Sequence, residues 1–332
     1  MLIYTIRRIL IMLPTLFVIS IVTFIIIQLP PGDYLTTLVA ELESRGESVD
    51  QSQLQFLKQT YGLDKPLFEQ YWMWFSGLLV GDFGYSFEYE RPVSEVIGDR
   101  LFLSMIVSFS TIIFIWVVSF PIGIYSAINQ YSWGDYSLTF IGFLGLATPN
   151  FLLALIMMYL ANITFGTSVG GLMDPVYIDQ PWSWSKFLSV LEHLWIPVIV
   201  IGTSGTAGMI RRLRANLLDE LDKQYVITAR AKGVAPTKLI VKYPLRMSLN
   251  PFIADIGNIL PQIVSGAAIV SVVLSLPTTG PMMLDALRSQ DMYLAGTFLM
   301  FLSVLTVVGV FLSDLALAVL DPRIRLGGET VV

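Results

Sequence analysis

The chain has 332 residues, 55% hydrophobic and only 14% charged, where a soluble domain carries about 25% charged residues. It contains no cysteine, which excludes disulfides and thiol chemistry, and its net charge of -5 provides no overall basic field for nucleic acid. Charge-free runs of roughly 20 residues recur and match the hydrocarbon thickness of a bilayer, so the expected class is an all-α, polytopic membrane protein.

Arg7 and Arg8 precede the first apolar run, Ile9 to Leu29. That run is too long for a signal-peptide core and no Ala-x-Ala site follows, so residues 1–29 read as a retained anchor helix. Residues 30–100 read as an extracytoplasmic segment carrying 12 of the 25 acidic residues, most simply a solvated face. Within it, Asp50 with Gln53 resembles a capping box ahead of Leu54, Leu57 and Tyr61 at helical spacing. Tyr71, Trp72, Trp74 and Phe75 then form an aromatic cluster suited to the headgroup level.

A core membrane domain, residues 101–320, holds five more predicted spans: Leu101 to Ile124, Tyr136 to Ala161, Leu194 to Ile210, Phe252 to Leu276 and Leu294 to Leu320. Six transmembrane helices are therefore expected. Gly142, Gly145 and Pro149 predict a bend in the third. Residues 162–193 form a second outer loop, with Gly170, Gly171, Trp182 and Trp184, that re-enters the interface. His193, beside Trp195, reads as an interfacial cap at an outer helix start. Gly202, Ser204, Gly205, Ala207 and Gly208 in the fourth span admit a neighbouring backbone.

Orientation follows the basic residues. With the N-terminus inside, 13 of the 20 fall in cytoplasmic pieces, including the tail 321–332 with Arg323 and Arg325. Both termini are expected in the cytoplasm. Asp255 and Asp314 lie at the cytoplasmic ends of spans and read as structural: Asp255 sits in a first helical turn favoured by the dipole, and Asp314 is within reach of the terminal arginines. Asn258, Gln262, Ser265 and Ser271 lie at helical spacing on the fifth span. They either line a polar route or bond to neighbouring helices, at about 1 kcal/mol each. No cluster has metal-ligand spacing, and no nucleophile has a base nearby in sequence.

The cytoplasmic loop 213–250 is too long for a simple connection. Leu217 to Lys232 predicts one helix, with Asp219, Glu220 and Asp222 early and Arg230 and Lys232 late. Gly233 predicts its stop and Pro236 a restart, with Leu239, Ile240 and Tyr243 as an apolar face. Two short helices meeting at a glycine elbow make a knob standing out of the membrane.

Here the chain resembles a known family. Thr228-Ala-Arg-Ala-Lys-Gly233 followed by Pro244-Leu-Arg-Met-Ser-Leu-Asn-Pro251 is similar to the "EAA" loop of binding-protein-dependent ABC importers, in the oligopeptide/dipeptide/nickel branch. Pro31-Gly-Asp33, Tyr61-Gly-Leu-Asp64 with Pro66, Gly81-Asp-Phe-Gly-Tyr-Ser86, Pro92-Val93 and Leu320-Asp-Pro-Arg-Ile-Arg325 extend the resemblance over the whole length. It implies a non-catalytic inner-membrane permease subunit of the first-permease type. The implied partners are a second, similar permease, two ATP-binding subunits or domains, and an extracytoplasmic solute-binding protein that some of the outer acids would contact. It also makes Thr228, Ala229, Arg230, Ala231, Lys232 and Gly233, with Lys238 and Arg246, the residues that couple to the ATPase. The signature glutamate position is Ile227 here. The chain has no Gly-x-x-x-x-Gly-Lys-Ser/Thr phosphate loop, so no cofactor is expected in it, and ATP with Mg would sit in the partners. Ser271-Val-Val-Leu-Ser-Leu-Pro-Thr-Thr-Gly280 departs from the acidic Glu-Thr pattern of peptide permeases after span five. Oligopeptides are the default cargo and oligosaccharides the alternative; a self-sufficient secondary transporter ranks behind both, because it needs ion-coupling carboxylates near the bilayer centre and the spans place none there.

Overall fold

The computed structural model describes residues 2–30, 32, 34–44, 55, 58, 62–166, 170–178, 180–254 and 268–320. Asp50, Gln53, Leu54, Leu57, Tyr61, Asp255, Asn258, Gln262, Ser265, Arg323 and Arg325 lie outside them. The chain divides into two compact units. One comprises Met1–Ser104, Gly257–Ser265 and Thr278–Val332, and the other Met105–Ile256 and Gly266–Pro277.

In the first unit, α1 (Leu2–Gln28) runs beside the last helix, α14 (Met292–Leu320). Their pairing includes an ion pair of 3.0 Å between Arg8 and Asp314. Asp314 thus finds an arginine at the N-terminal end of the chain. Between them come α2 (Tyr34–Ser44), α3 (Leu67–Val80), a two-rung antiparallel hairpin of β1 (Tyr85–Ser86) and β2 (Arg91–Pro92), and α13 (Thr279–Arg288). The opening turns of α4 (Val93–Ile128) complete the unit.

Val93, Val96, Ile97, Met282, Leu294 and Phe298 make its core. A second cluster joins Phe24, Trp74 and Met292. The aromatic group of α3 divides between two faces. Tyr71 and Trp74, three apart on one helical face, turn toward α1: the Tyr71 hydroxyl is 2.9 Å from the Ser20 hydroxyl and Trp74 is buried. Trp72, on the opposite face, is exposed.

Asp291 holds this unit's irregular parts together. Fully buried, it accepts the Ser86 hydroxyl at 2.6 Å and the Phe87 and Glu88 amides at 2.8 and 3.2 Å on one oxygen. Its other oxygen caps α14 through the Leu294 amide at 3.1 Å. Burial raises its pKa while these donors pull it down, and burial prevails. Gly84, at φ +77, is packed so tightly that an added Cβ would fall 2.4 Å from the Tyr293 ring.

The second unit holds the rest of α4, then α5 (Trp133–Ala147), α6 (Asn150–Phe165), a 3-10 turn at Pro175–Tyr177 and α7 (Trp184–Leu221). Four short helices, α8 (Gln224–Ala231), α9 (Pro236–Lys242), α10 (Pro244–Ser248) and α11 (Asn250–Ala254), follow, and α12 (Ala268–Val273) completes it. Of the small residues of α7, Gly202 and Gly205 admit α4 as expected, whereas a Cβ at Gly208 would meet nothing within 4 Å. Gly202 faces the Phe114 ring, Gly205 faces Ile115, and Ser119 donates to the Thr206 carbonyl at 3.3 Å. An added Cβ at Gly202 would lie 2.5 Å from Phe114, so only glycine allows this approach of α4.

By length and composition, four helical stretches among the described residues can cross a membrane: Thr5–Gln28, Val93–Ile128, Trp184–Leu221 and Met292–Leu315. α5 and α6 supply a fifth when taken as one broken span, bent by 99°. The bend falls at Thr148 and Pro149, as the proline predicts. The protein is an all-α, multi-pass membrane protein, and its expected Phe252 to Leu276 span crosses residues 255–267, outside the described set.

Two readings are corrected along α7. His193 is not at a helix start, because the helix begins at Trp184, where Ser183 caps it by accepting the Lys186 amide at 3.2 Å. His193 instead lies one turn past Ser189, with Nδ1 2.8 Å from its carbonyl and Nε2 3.7 Å from the Asp174 carboxylate. Nor is Leu217 to Lys232 one helix. Leu213 and Leu217 are fully buried and prolong the apolar stripe of α7, so α7 continues to Leu221. The chain breaks at Asp222 and Lys223, the latter extended at φ -72, ψ 145. Asp219 and Glu220 therefore close one helix rather than open the next.

Candidate functional site

α8 is only eight residues long, too short to persist on propensity alone. What holds it is a small core: Val226, Ala229 and Leu239 are buried, with Val234 and Tyr243 packed around them. Val226 and Ala229 are three apart on α8, so one face turns inward and the other is left to solvent.

Gly233 shapes the turn between α8 and α9. At φ +77 it occupies the left-handed region. Its amide donates to the Arg230 carbonyl at 3.0 Å, and the Val234 amide reaches back to Ala229 at 3.3 Å. These two bonds are the Schellman arrangement, and Val234 supplies the apolar contact that accompanies it. Pro236 then sits in the first turn of α9, where its missing amide costs nothing. The elbow expected from the sequence is thus present bond by bond.

At the other end, the Tyr225 hydroxyl donates to the Glu220 carboxylate across the Asp222–Lys223 break. Burial and that carboxylate together push the phenol's pKa up. α10 packs along α7, with Pro244 and Ser248 buried. The knob is tied to α7 from both sides.

The eight sequence-derived positions separate on this framework. Thr228, Arg230, Ala231, Lys232, Gly233 and Lys238 are exposed on the knob, and Arg246 is exposed on α10. Ala229 faces inward, as part of the knob's core. Ile227, at the variant signature position, is 47% exposed beside Thr228. The outer face of α8 is therefore an apolar side chain flanked by a hydroxyl and cations. Of the four positions on the fifth span, only Ser271 is described: it is buried, and its carbonyl accepts the Leu276 amide at 2.8 Å.

Sequence reasoning missed one feature next to the knob. Arg214, on the extension of α7, forms a two-pronged ion pair with Asp135 in the first turn of α5, at 3.2 and 2.9 Å. Asp135 is buried and also accepts the Tyr131 amide at 3.0 Å. A second omission is polar contact at mid-span, where the Asn150 side-chain amide lies 3.3 Å from the Ser204 hydroxyl, just past the α5–α6 break. Among the described residues no group of acidic or histidine side chains has the arrangement of a metal site.

Comparison with known proteins agrees with this architecture. Residues 119–326 match the family model for the binding-protein-dependent transport system inner membrane component, and residues 1–109 match that family's N-terminal membrane component. The chain is 32% identical over 323 residues to the oligopeptide transport system permease protein AppB of Bacillus subtilis (strain 168), covering 97% of this chain and 99% of that one. It is 28% identical over 325 residues to the glutathione transport system permease protein GsiC of Escherichia coli (strain K12), covering 98% and 99%.

Proposed function

Because the chain belongs to the family of inner membrane components of binding-protein-dependent transport systems, we propose that it forms one half of an ATP-driven import pathway for oligopeptides or similar small oligomeric solutes. The relatives named for oligopeptide and glutathione transport favour peptide cargo; the altered Ser271 to Gly280 segment keeps short oligosaccharides as the second reading. A second, similar permease would form the other half, with six spans in each. Two ATP-binding subunits or domains would dock from the cytoplasm and a solute-binding protein from outside. Both termini would be cytoplasmic, following the basic residues.

The observation that carries this reading is the knob. It has a dry core of its own, an outward face of Thr228, Ile227, Arg230 and Lys232, and a turn fixed by Gly233. An apolar residue ringed by cations suits a groove with an apolar floor and an acidic rim. ATP binding would close the partners and displace the knobs, and α7 would carry that displacement to the membrane helices. The extracytoplasmic segment 30–100, the membrane domain 101–320 with its coupling loop 213–250, and the tail 321–332 divide the work in that order.

The test is reconstitution. The chain alone in vesicles should take up nothing; with the second permease, the ATPases and the binding protein, uptake should become ATP-dependent. Since the protein lacks cysteine, a Thr228→Cys variant should cross-link to an ATPase subunit. Gradient-driven uptake by the chain alone, or a knob that cross-links to nothing, would refute the proposal.

A further inference from the structure

α5 and α7 are antiparallel neighbours whose contacts keep one register. A Cβ added at Gly145 would lie 3.8 Å from the Thr203 Cβ, one added at Gly142 would lie 3.7 Å from the Ala207 Cβ, and Asp135 meets Arg214. In each pair one residue advances along α5 as its partner retreats along α7. Glycine and alanine let the two backbones close up toward the bilayer centre. At the cytoplasmic end the helices are instead fastened by charge. Asp135 is 3% exposed, its two oxygens take the Arg214 Nε and Nη2, and one of them also takes the Tyr131 amide.

The placement of that pair is unusual for a merely stabilising contact. A buried ion pair contributes little net stability over an apolar pair of the same shape, yet removing one partner costs several kcal/mol. What it supplies is a fixed geometry, because a planar guanidinium on a carboxylate admits one arrangement. Arg214 lies seven residues before the end of α7, on the stretch that leads directly into the knob. Asp135 lies at the start of the only broken span among the described residues, and at the far side of its 99° bend Asn150 again touches α7, at Ser204.

We propose that the Asp135–Arg214 clamp makes α5 and the knob-bearing end of α7 one lever, so that displacement of the knob is delivered to the α5–α6 break. Both are positioning residues. Neither touches cargo or nucleotide, and they act by keeping α5 from sliding along α7 under load. This rests on the ATP-driven import reading above and adds the route by which force leaves the coupling loop.

The natural absence of cysteine permits a direct test. The 3.7 Å separation at Gly142 and Ala207 matches the roughly 3.8 Å Cβ spacing of a disulfide. In the complete reconstituted complex, Asp135→Asn should lower uptake per ATP hydrolysed by roughly tenfold, less than the full cost of breaking a fully buried pair because the Arg214 side chain is 27% exposed, while nucleotide hydrolysis continues. A loss of folding alone would lower uptake and hydrolysis together and leave their ratio unchanged. Adding Gly142→Cys and Ala207→Cys to that variant should restore the ratio when oxidised and lose it again on reduction. In the otherwise natural sequence, the same disulfide should leave transport intact. An unchanged ratio in Asp135→Asn, or transport blocked by the disulfide and freed by reduction, overturns the lever. Absence of ATP-dependent uptake in the unsubstituted complex overturns the underlying reading instead.

Discussion

Gly233→Val separates conformation from contact at the knob more cleanly than any other substitution. The glycine stands at φ +77, yet a Cβ built on it meets nothing within 4 Å. The penalty for another residue is thus purely one of backbone geometry. For an L-residue in the left-handed region that is about 1–2 kcal/mol, and a β-branched side chain lies at the upper end. If the elbow opens to relieve it, the Gly233-to-Arg230 and Val234-to-Ala229 bonds are given up, each a net contribution of about 1 kcal/mol. The competing terms are similar in size, so valine should leave a substantial fraction of knobs with the wrong angle between α8 and α9. The membrane helices are untouched, so folding and assembly should be unaffected. Uptake per ATP in reconstituted vesicles should fall about tenfold, equivalent to roughly 1.4 kcal/mol. Gly233→Asn is the control, because asparagine visits the left-handed region readily, and it should retain most of the coupling. Equal coupling in valine and glycine forms, or asparagine as damaging as valine, would refute the reasoning.

Three other outcomes follow from the geometry. Asp291→Asn keeps the shape but replaces one acceptor oxygen with a donor facing amides or a hydroxyl; thermal unfolding in detergent should show a loss of about 2–3 kcal/mol, from the unsatisfied buried groups. Gly84→Ala should be strongly destabilising in the same assay, because it combines a φ of +77 with a Cβ 2.4 Å from the Tyr293 ring. Adding Tyr293→Ala should recover only the steric part and leave the backbone penalty of roughly 1–2 kcal/mol. Leu239→Ala removes the centre of the knob's small core; the cost of about 2–5 kcal/mol exceeds what so small a unit can absorb. Amide exchange should therefore show local opening of residues 224–243 with the spans still protected.

Local signals in the chain were sufficient wherever local chemistry decides the outcome. Pro149 marks the break between α5 and α6, Gly233 and Pro236 mark the two sides of the elbow, and Gly202 and Gly205 of α7 mark the approach of α4. Each depends on a property of one residue: a missing amide, a permitted φ, or an absent Cβ. Readings failed where two distant segments share the decision. Leu217 to Lys232 has helix formers throughout, and its division at Asp222 arises because Leu213 and Leu217 are buried against the unit's interior while α8 needs its own face for Leu239. His193 looked like a helix start because the apolar run begins after it, but Ser183 caps the helix almost three turns earlier. Asp291 could have been read locally only as the cap of α14, through Leu294; its other donors, Ser86, Phe87 and Glu88, lie some 200 residues away in sequence.

Arg214 illustrates how one reading of a residue can conceal another. Counted among the basic residues of the loop, it supports the cytoplasmic placement of that loop, and the count is indifferent to what each cation touches. Its partner is 79 residues away and belongs to a helix whose acidic first turn is already explained by the dipole. Nothing in either segment alone calls for the other. Once the two are joined, the loop's cations divide by role: Arg214 is committed inward to Asp135, whereas Arg230, Lys232 and Lys238 remain on the knob's solvent face. Not all of the charge counted toward the expected orientation is therefore available to a partner. Reversing charge at Arg230 or Lys232 should weaken partner docking with a strong dependence on salt, whereas the loss caused by Asp135→Asn, with Asp135 buried and Arg214 27% exposed, should depend on salt more weakly. Matching salt profiles for the two would mean that the clamp is no more shielded from solvent than the knob's own surface, and the division of roles would fail.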